Sequence, residues 1–221
     1  MKDIKAIRGK FYIQRLIEEG EHEHQDFKFA ISDARKIARS LSAFANNDGG
    51  RLLIGVKDNG NIAGVRNEED IYMIEQAAQM YCRPAQSPEI TAFKTEGGAV
   101  VIRVEIAKSA RRPVLSQEPD GTWRAYYRVK DENILAPDVM VKTWRRMQQN
   151  RGRIISLSDA DSRLLAMIEE RGAITLDEYY RAAHMPRASA EETLINLVSM
   201  DVVKLNLGTK GELKIERVSS V

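Results

Sequence analysis

Three carboxylates have the types and spacing best suited to chemistry in this chain: Glu21, Asp26 and Asp58. Glu21 and Asp26 belong to a stretch that continues as Gln25-Asp26-Phe27-Lys28-Phe29, an alternating strand pattern. Asp58 ends a second stretch, Leu52-Leu53-Ile54-Gly55-Val56-Lys57-Asp58, which reads as a buried strand running into a turn. If the two strands are neighbours, the three side chains meet at one site. Such a site could hold Mg²⁺ or Mn²⁺, which activates water and neutralises charge on a scissile phosphate. Without a metal, the same carboxylates would repel a phosphate backbone. The competing reading is that Asp58 supports the Asp58-Asn59-Gly60 turn and Glu21 is solvated.

Other constellations carry less. Glu21-His22-Glu23-His24 looks like a metal tract, and in a strand His22 and His24 would share a face. The third histidine, His184, is remote in sequence, and a structural zinc site takes four ligands, so a solvated polar segment is expected. Asn46-Asn47-Asp48-Gly49-Gly50 is Gly-rich but ends a helix rather than opening one, and it lacks Lys-Ser/Thr, so it is no P-loop. Basic side chains offer a nucleic-acid surface: Lys28, Arg111, Arg112, Arg124, Arg128 and Lys130, with Tyr126 available to stack on a base. On one strand, Arg124, Tyr126 and Arg128 would share a face and Tyr127 would point to the core. An ordinary solvated sheet edge is the alternative. Basic clusters also occur at Lys2, Lys5, Arg8 and Lys10, and at Arg35, Lys36 and Arg39.

The net charge is +2, so any polyanion site must be a local patch. The longest apolar runs fall far short of the ~20 residues that cross a bilayer, and the start of the chain does not read as a secretory signal. A single cysteine, Cys82, fits a reducing cytoplasm and a small core residue on a helix. The expected location is cytoplasmic, with no membrane partner.

The elements that must position these residues follow from pattern. Ser32 or Asp33 caps a helix running to about Asn46, which Asn and Gly residues end before the Leu52–Val56 strand. A second helix covers Glu68–Tyr81, and strands follow near Glu89–Phe93, Ala99–Ile106 and Trp123–Val129. A helix near Asp138–Gln149 closes the first unit. The expected class is α+β, with helices packed on one face of a mixed sheet. Three domain segments result: 1–150, a polar linker at 151–157, and 158–221. The last reads as helices Asp159–Arg171, Leu176–His184 and Ala188–Met200 and two strands, Val202–Leu207 and Glu212–Arg217, around Gly208-Thr209-Lys210-Gly211. That is the order of a winged helix. Its third helix opens Arg187-Ala188-Ser189-Ala190-Glu191-Glu192, and two glutamates at a reading end would oppose phosphates.

Glu21 with Asp26-Phe27-Lys28, then Ala43-Phe44-Ala45-Asn46-x-x-Gly49-Gly50, Leu53-Ile54-Gly55-Val56-x-Asp58, Gly60 and Tyr127-x-Val129 resemble the Schlafen-type AlbA domain over roughly residues 12–135. That resemblance implies a DNA-binding domain of prokaryotic regulators, whose bacterial members often carry a C-terminal winged helix. It also implies that Glu21, Asp26 and Asp58 align with the acidic trio of the Schlafen ribonucleases, with Asp26 standing where the family has Glu. Three functions stay open: a DNA-binding transcriptional regulator, with DNA preferred over RNA and a homo-oligomeric state; a divalent-metal-dependent RNA endonuclease; and an oligomeric scaffold without nucleic acid.

Overall fold

A computed structural model describes residues 6–65, 69–149, 157–208 and 212–218. The chain divides into two units, Met1–Leu135 and Ala136–Val221. In unit 1 the organising element is helix α2 (Ala34–Asn46), capped by the Asp33 carboxylate, which accepts from Arg35 N at 2.9 Å. From Ser40 to Asn46 every residue is buried, which is possible because four of the seven are Ser or Ala and let neighbours approach on all sides. Gly49 and Gly50 then turn the chain. Gly49 has φ 86°, and a Cβ there would lie 2.8 Å from Ile106 O; at Gly50 a Cβ would meet the Phe44 ring at 2.2 Å.

The turn feeds a five-stranded mixed sheet. Its order is β1 (Ile7–Arg8), β5 (Glu89–Lys94), β6 (Val100–Ile106), β3 (Gly50–Ile54) and β2 (Gln25–Lys28). The β1–β5 and β2–β3 pairs are parallel, the inner two antiparallel. Helices cover both faces, rather than the one expected. On one side α1 (Lys10–Glu19) packs Ile13 and Leu16 against Phe27, Leu53 and Val101; on the other, α2 and α3 (Glu69–Met80) pack Leu41, Phe44 and Ile74 against Leu52, Ile54 and Val104. The unbroken apolar run Leu52-Leu53-Ile54 carries this signal, because a strand buried on both faces does not alternate.

A second, antiparallel sheet lies against α2. It runs β4 (Cys82–Arg83), β7 (Leu115–Gln117), β8 (Trp123–Val129) and β9 (Glu132–Leu135). Cys82 stands on strand β4 rather than on a helix. Its thiol is buried, which pushes its pKa up to about 12.

Unit 2 holds α4 (Asp138–Gln149), α5 (Asp159–Arg171), β10 (Ala173–Thr175), α6 (Leu176–Ala182), α7 (Arg187–Ser199), β11 (Val203–Leu207) and β12 (Leu213–Arg217), with an antiparallel sheet in the order β10-β12-β11. Ser158 with Asp161 and Thr175 with Glu178 form capping boxes that start α5 and α6. The core joins Val139, Leu164, Ile168, Tyr179, Leu194 and Ile215. Helix α4 thus belongs to unit 2, and the boundary falls at 135/136 rather than at 150. The linker at 151–157 lies outside the described residues apart from Leu157, as do Lys2, Lys5, Glu68 and Thr209-Lys210-Gly211. No helix among the described residues is long and apolar enough to cross a membrane.

Candidate functional site

Glu21 and Asp26 are brought together; Asp58 is not brought to them. Asp26 is 4% exposed on β2. Its Oδ1 accepts from Arg128 Nη2 at 3.2 Å. Its Oδ2 lies 2.7 Å from Lys28 Nζ, an ammonium that also donates to Phe27 O at 2.8 Å. Glu21 Oε1 accepts from Phe27 N at 2.8 Å, closing a backbone donor on the outer edge of β2. The Glu21 carboxyl pKa is raised, first by burial and then by its contact with Asp26, against the lowering pull of the Phe27 amide and Lys28.

Asp58 stands exposed in the hairpin at 57–61, well past the β3 terminus at Ile54, whereas Asp26 pairs with Leu52 inside the sheet. In that hairpin Lys57 N donates to Asn61 O at 3.0 Å, and the side chain that braces the turn is Asn59, whose Oδ1 accepts from Asn61 N at 3.1 Å. Among the described residues no group of three or more His, Cys, Asp or Glu side chains is placed to hold a metal ion. With both Asp26 oxygens facing cations, the donor set does not fit a shared Mg²⁺ or Mn²⁺.

The His22–His24 tract is a turn rather than a strand. His22 Nδ1 accepts from His24 N at 3.1 Å, and His24 Nδ1 bonds Gly49 O at 2.9 Å. The His22 pKa is lowered by burial and then by the Arg51 charge.

Sequence reasoning missed the work of Asn46 and Asn47. The Asn46 amide accepts from Val114 N at 2.8 Å and donates to Val114 O and Tyr126 O at 2.9 and 2.8 Å. Asn47 accepts from Arg128 N at 2.9 Å and donates to Arg128 O at 2.8 Å. Two consecutive amides therefore fasten the end of α2 to β8. The signal was available, since buried Asn at a helix terminus satisfies backbone groups that a turn leaves open.

The basic candidates separate by burial. Arg128 is 1% exposed and is spent inside the protein: it reaches Asp26, Gln25 O at 3.2 Å and Asn133 Oδ1 at 3.1 Å, with its guanidinium 5.1 Å from the Phe44 ring centre. Tyr126 is buried on the same side, its hydroxyl donating to Glu118 at 2.8 Å and its pKa pushed up to about 12 by burial. The face assignment along β8 is thus corrected. Tyr126 and Arg128 face α2, and Tyr127 is the half-buried one on the opposite face. Lys28 is tied to Asp26. Arg112 is half-buried and donates to Asn46 O at 3.2 Å, and burial lowers its pKa. Arg111, Arg124 and Lys130 are exposed.

In unit 2 the two glutamates of α7 are engaged by α4. Lys142 meets Glu191 at 3.0 Å, and Arg146 meets Glu192 at 2.8 Å and Asn196 at 2.7 Å. Arg187 pairs with Asp177 at 2.8 Å. The glutamates of α7 are therefore engaged by α4 within the unit, with Glu192 still exposed.

The sequence profile of the Schlafen, AlbA_2 family matches residues 21–137. No curated protein matches the chain in sequence. Two solved structures are similar at low identity. A crystal structure of a protein from Corynebacterium diphtheriae is 20% identical, with a TM-score of 0.45, and the match covers 86% of this chain and 34% of that one. The chain thus spans about a third of that protein's length. A solution NMR structure of the N-terminal domain of an ATP-dependent DNA helicase RecG-related protein from Nitrosomonas europaea is 19% identical, with a TM-score of 0.41, and covers 69% of this chain and 96% of that one.

Proposed function

The chain belongs to the Schlafen, AlbA_2 family, a nucleic-acid-binding family, and on that premise we propose that it is a DNA-binding transcriptional regulator rather than a nuclease. The observation that carries this reading is the state of Asp26, whose two oxygens face Arg128 and Lys28. A carboxylate so engaged contributes to folding and places no free negative charge before a phosphate. Of the basic side chains singled out in the sequence, Arg111, Arg124 and Lys130 are exposed and available to meet the polymer. Unit 2 has the helix and strand order of a winged helix, and the engagement of both α7 glutamates by α4 favours packing or self-association over groove reading. A homo-oligomer is the corresponding assembly.

The nuclease reading draws its support from one contact, the Glu21–Asp26 pair. The test is incubation of the full chain with tRNA and with duplex DNA, with and without Mg²⁺ or Mn²⁺, across a salt series. Salt-sensitive binding without cleavage is expected. Metal-dependent cleavage that disappears in Asp58→Ala would overturn the regulator in favour of the enzyme. No binding to either polymer would leave the scaffold.

A further inference from the structure

Around the edge strand β4, two arginines stack on aromatic rings. The Arg83 guanidinium lies 4.2 Å from the Trp123 ring centre, and Arg35, from α2, lies 4.7 Å from that of Tyr81. The stacks are neighbours, because Tyr81 and Arg83 are two residues apart, about 7 Å along an extended chain. The sheet register sets the rest. Gln117 N donates to Tyr81 O at 3.0 Å, Gln117 pairs with Trp123, and Leu115 bridges Arg83 to Ala125, which shares its face of β8 with Trp123. Arg83 is exposed.

Four arginines of the unit are matched by carboxylates: Arg39 by Glu118, Arg51 by Glu19, Arg103 by Glu89 and Glu105, and Arg128 by Asp26. Among the described residues no carboxylate of the unit is within ion-pair distance of Arg35 or Arg83, and the buried Arg35 Nε has no hydrogen-bond partner. Glu118, on the same sheet, is occupied by Arg39 and the Tyr126 hydroxyl.

We propose that this ledge, Arg35–Tyr81 and Arg83–Trp123, binds a stretch of unpaired nucleotides. Guanidinium planes already stacked on rings offer their outer faces to bases, and the same groups donate to phosphates. Bases can reach such planes only where they are not paired, which favours a single strand over a duplex. The proposal rests on the nucleic-acid-binding reading and names the form of nucleic acid and the residues that meet it.

The test is fluorescence anisotropy of a labelled 12-nucleotide single strand, alone and annealed to its complement, with the full chain at several salt concentrations. Arg83→Ala removes a plane and a charge from the surface, while Trp123→Phe keeps a ring. The single strand is expected to bind more tightly than the duplex. Arg83→Ala is expected to weaken it at least tenfold and to flatten the salt dependence by about one ion, with Trp123→Phe weakening it less. Continued protection of the buried Cys82 thiol shows that unit 1 remains folded. If neither oligonucleotide binds, the nucleic-acid reading itself fails. If both bind but Arg83→Ala matches wild type, or the duplex is preferred, the ledge is overturned and the broader reading survives.

Discussion

Unit 1 and unit 2 use the same kinds of polar side chain to opposite ends. In unit 1, Arg128 and Asp26 pair at 3.2 Å with side chains only 1% and 5% exposed, joining the second sheet to the edge of the first. In unit 2, Arg146 and Glu192 pair at 2.8 Å with side chains 29% and 54% exposed, lacing α4 to α7 at the surface. The shorter contact is the weaker one. Water screens the surface pair and can replace either partner, whereas removing one side of the buried pair strands a charge in a medium that solvates it poorly. The difference teaches that burial, not distance, decides which of these contacts the fold depends on.

The contrast can be broken in graded steps. Arg128→Met is expected to destabilise unit 1 by about 3–5 kcal/mol, because Asp26 keeps its charge and loses its deepest partner. Denaturant titration followed by hydrogen exchange, read separately for the two units, checks this; unchanged protection of β2 and β8 would refute it. Asn46→Ala removes the amide that serves Val114 N and Tyr126 O and leaves Val114 O to the Ser42 hydroxyl alone, with an expected loss of about 3 kcal/mol confined to unit 1.

Glu21→Gln is smaller and shows in pH dependence. The folded state holds the Glu21 proton more tightly than the unfolded chain does. That contribution is present in acid and is lost as pH rises through the raised folded pKa. Gln keeps the acceptor for Phe27 N and removes the titration, so its melting temperature should gain on wild type as pH rises from the ordinary carboxylate range through the raised folded pKa. A constant offset across that range would show that Glu21 does not titrate against Asp26. Last, Lys142→Ala should cost about 1 kcal/mol or less, since its pair with Glu191 is half open to water. A larger loss in unit 2 thermal melts would erase the contrast.

Much of this was legible from pattern. Helix α2 with its Asp33 cap, β8 at Trp123–Val129 and α4 at Asp138–Gln149 all announce themselves by periodicity or capping. The two- to four-residue strands β1, β4, β7 and β9 do not, because so few residues show no alternation and their pairing is tertiary. The position of Arg128 was hidden for a related reason. Alternation along β8 groups Arg124, Tyr126 and Arg128 correctly, but it cannot say which face meets the helix, and a charged residue suggests the wrong one. The family's Asn46-x-x-Gly49-Gly50 block proves to contain a fastener, with Asn46 and Asn47 holding β8. Asp58, its partner by alignment, lies on a separate exposed turn.

The central claim is that Asp26 and Arg128 form an internal fastener between the two sheets. A double-mutant cycle with Asp26→Leu, Arg128→Met and the combined variant, measured by denaturant unfolding of unit 1, tests it most directly. Each single change should be strongly destabilising. The double variant should recover at least about 2 kcal/mol relative to their sum, because neither charge is then left buried alone. Single losses that add to within about 0.5 kcal/mol would contradict the claim and return Asp26 to the candidates for chemistry.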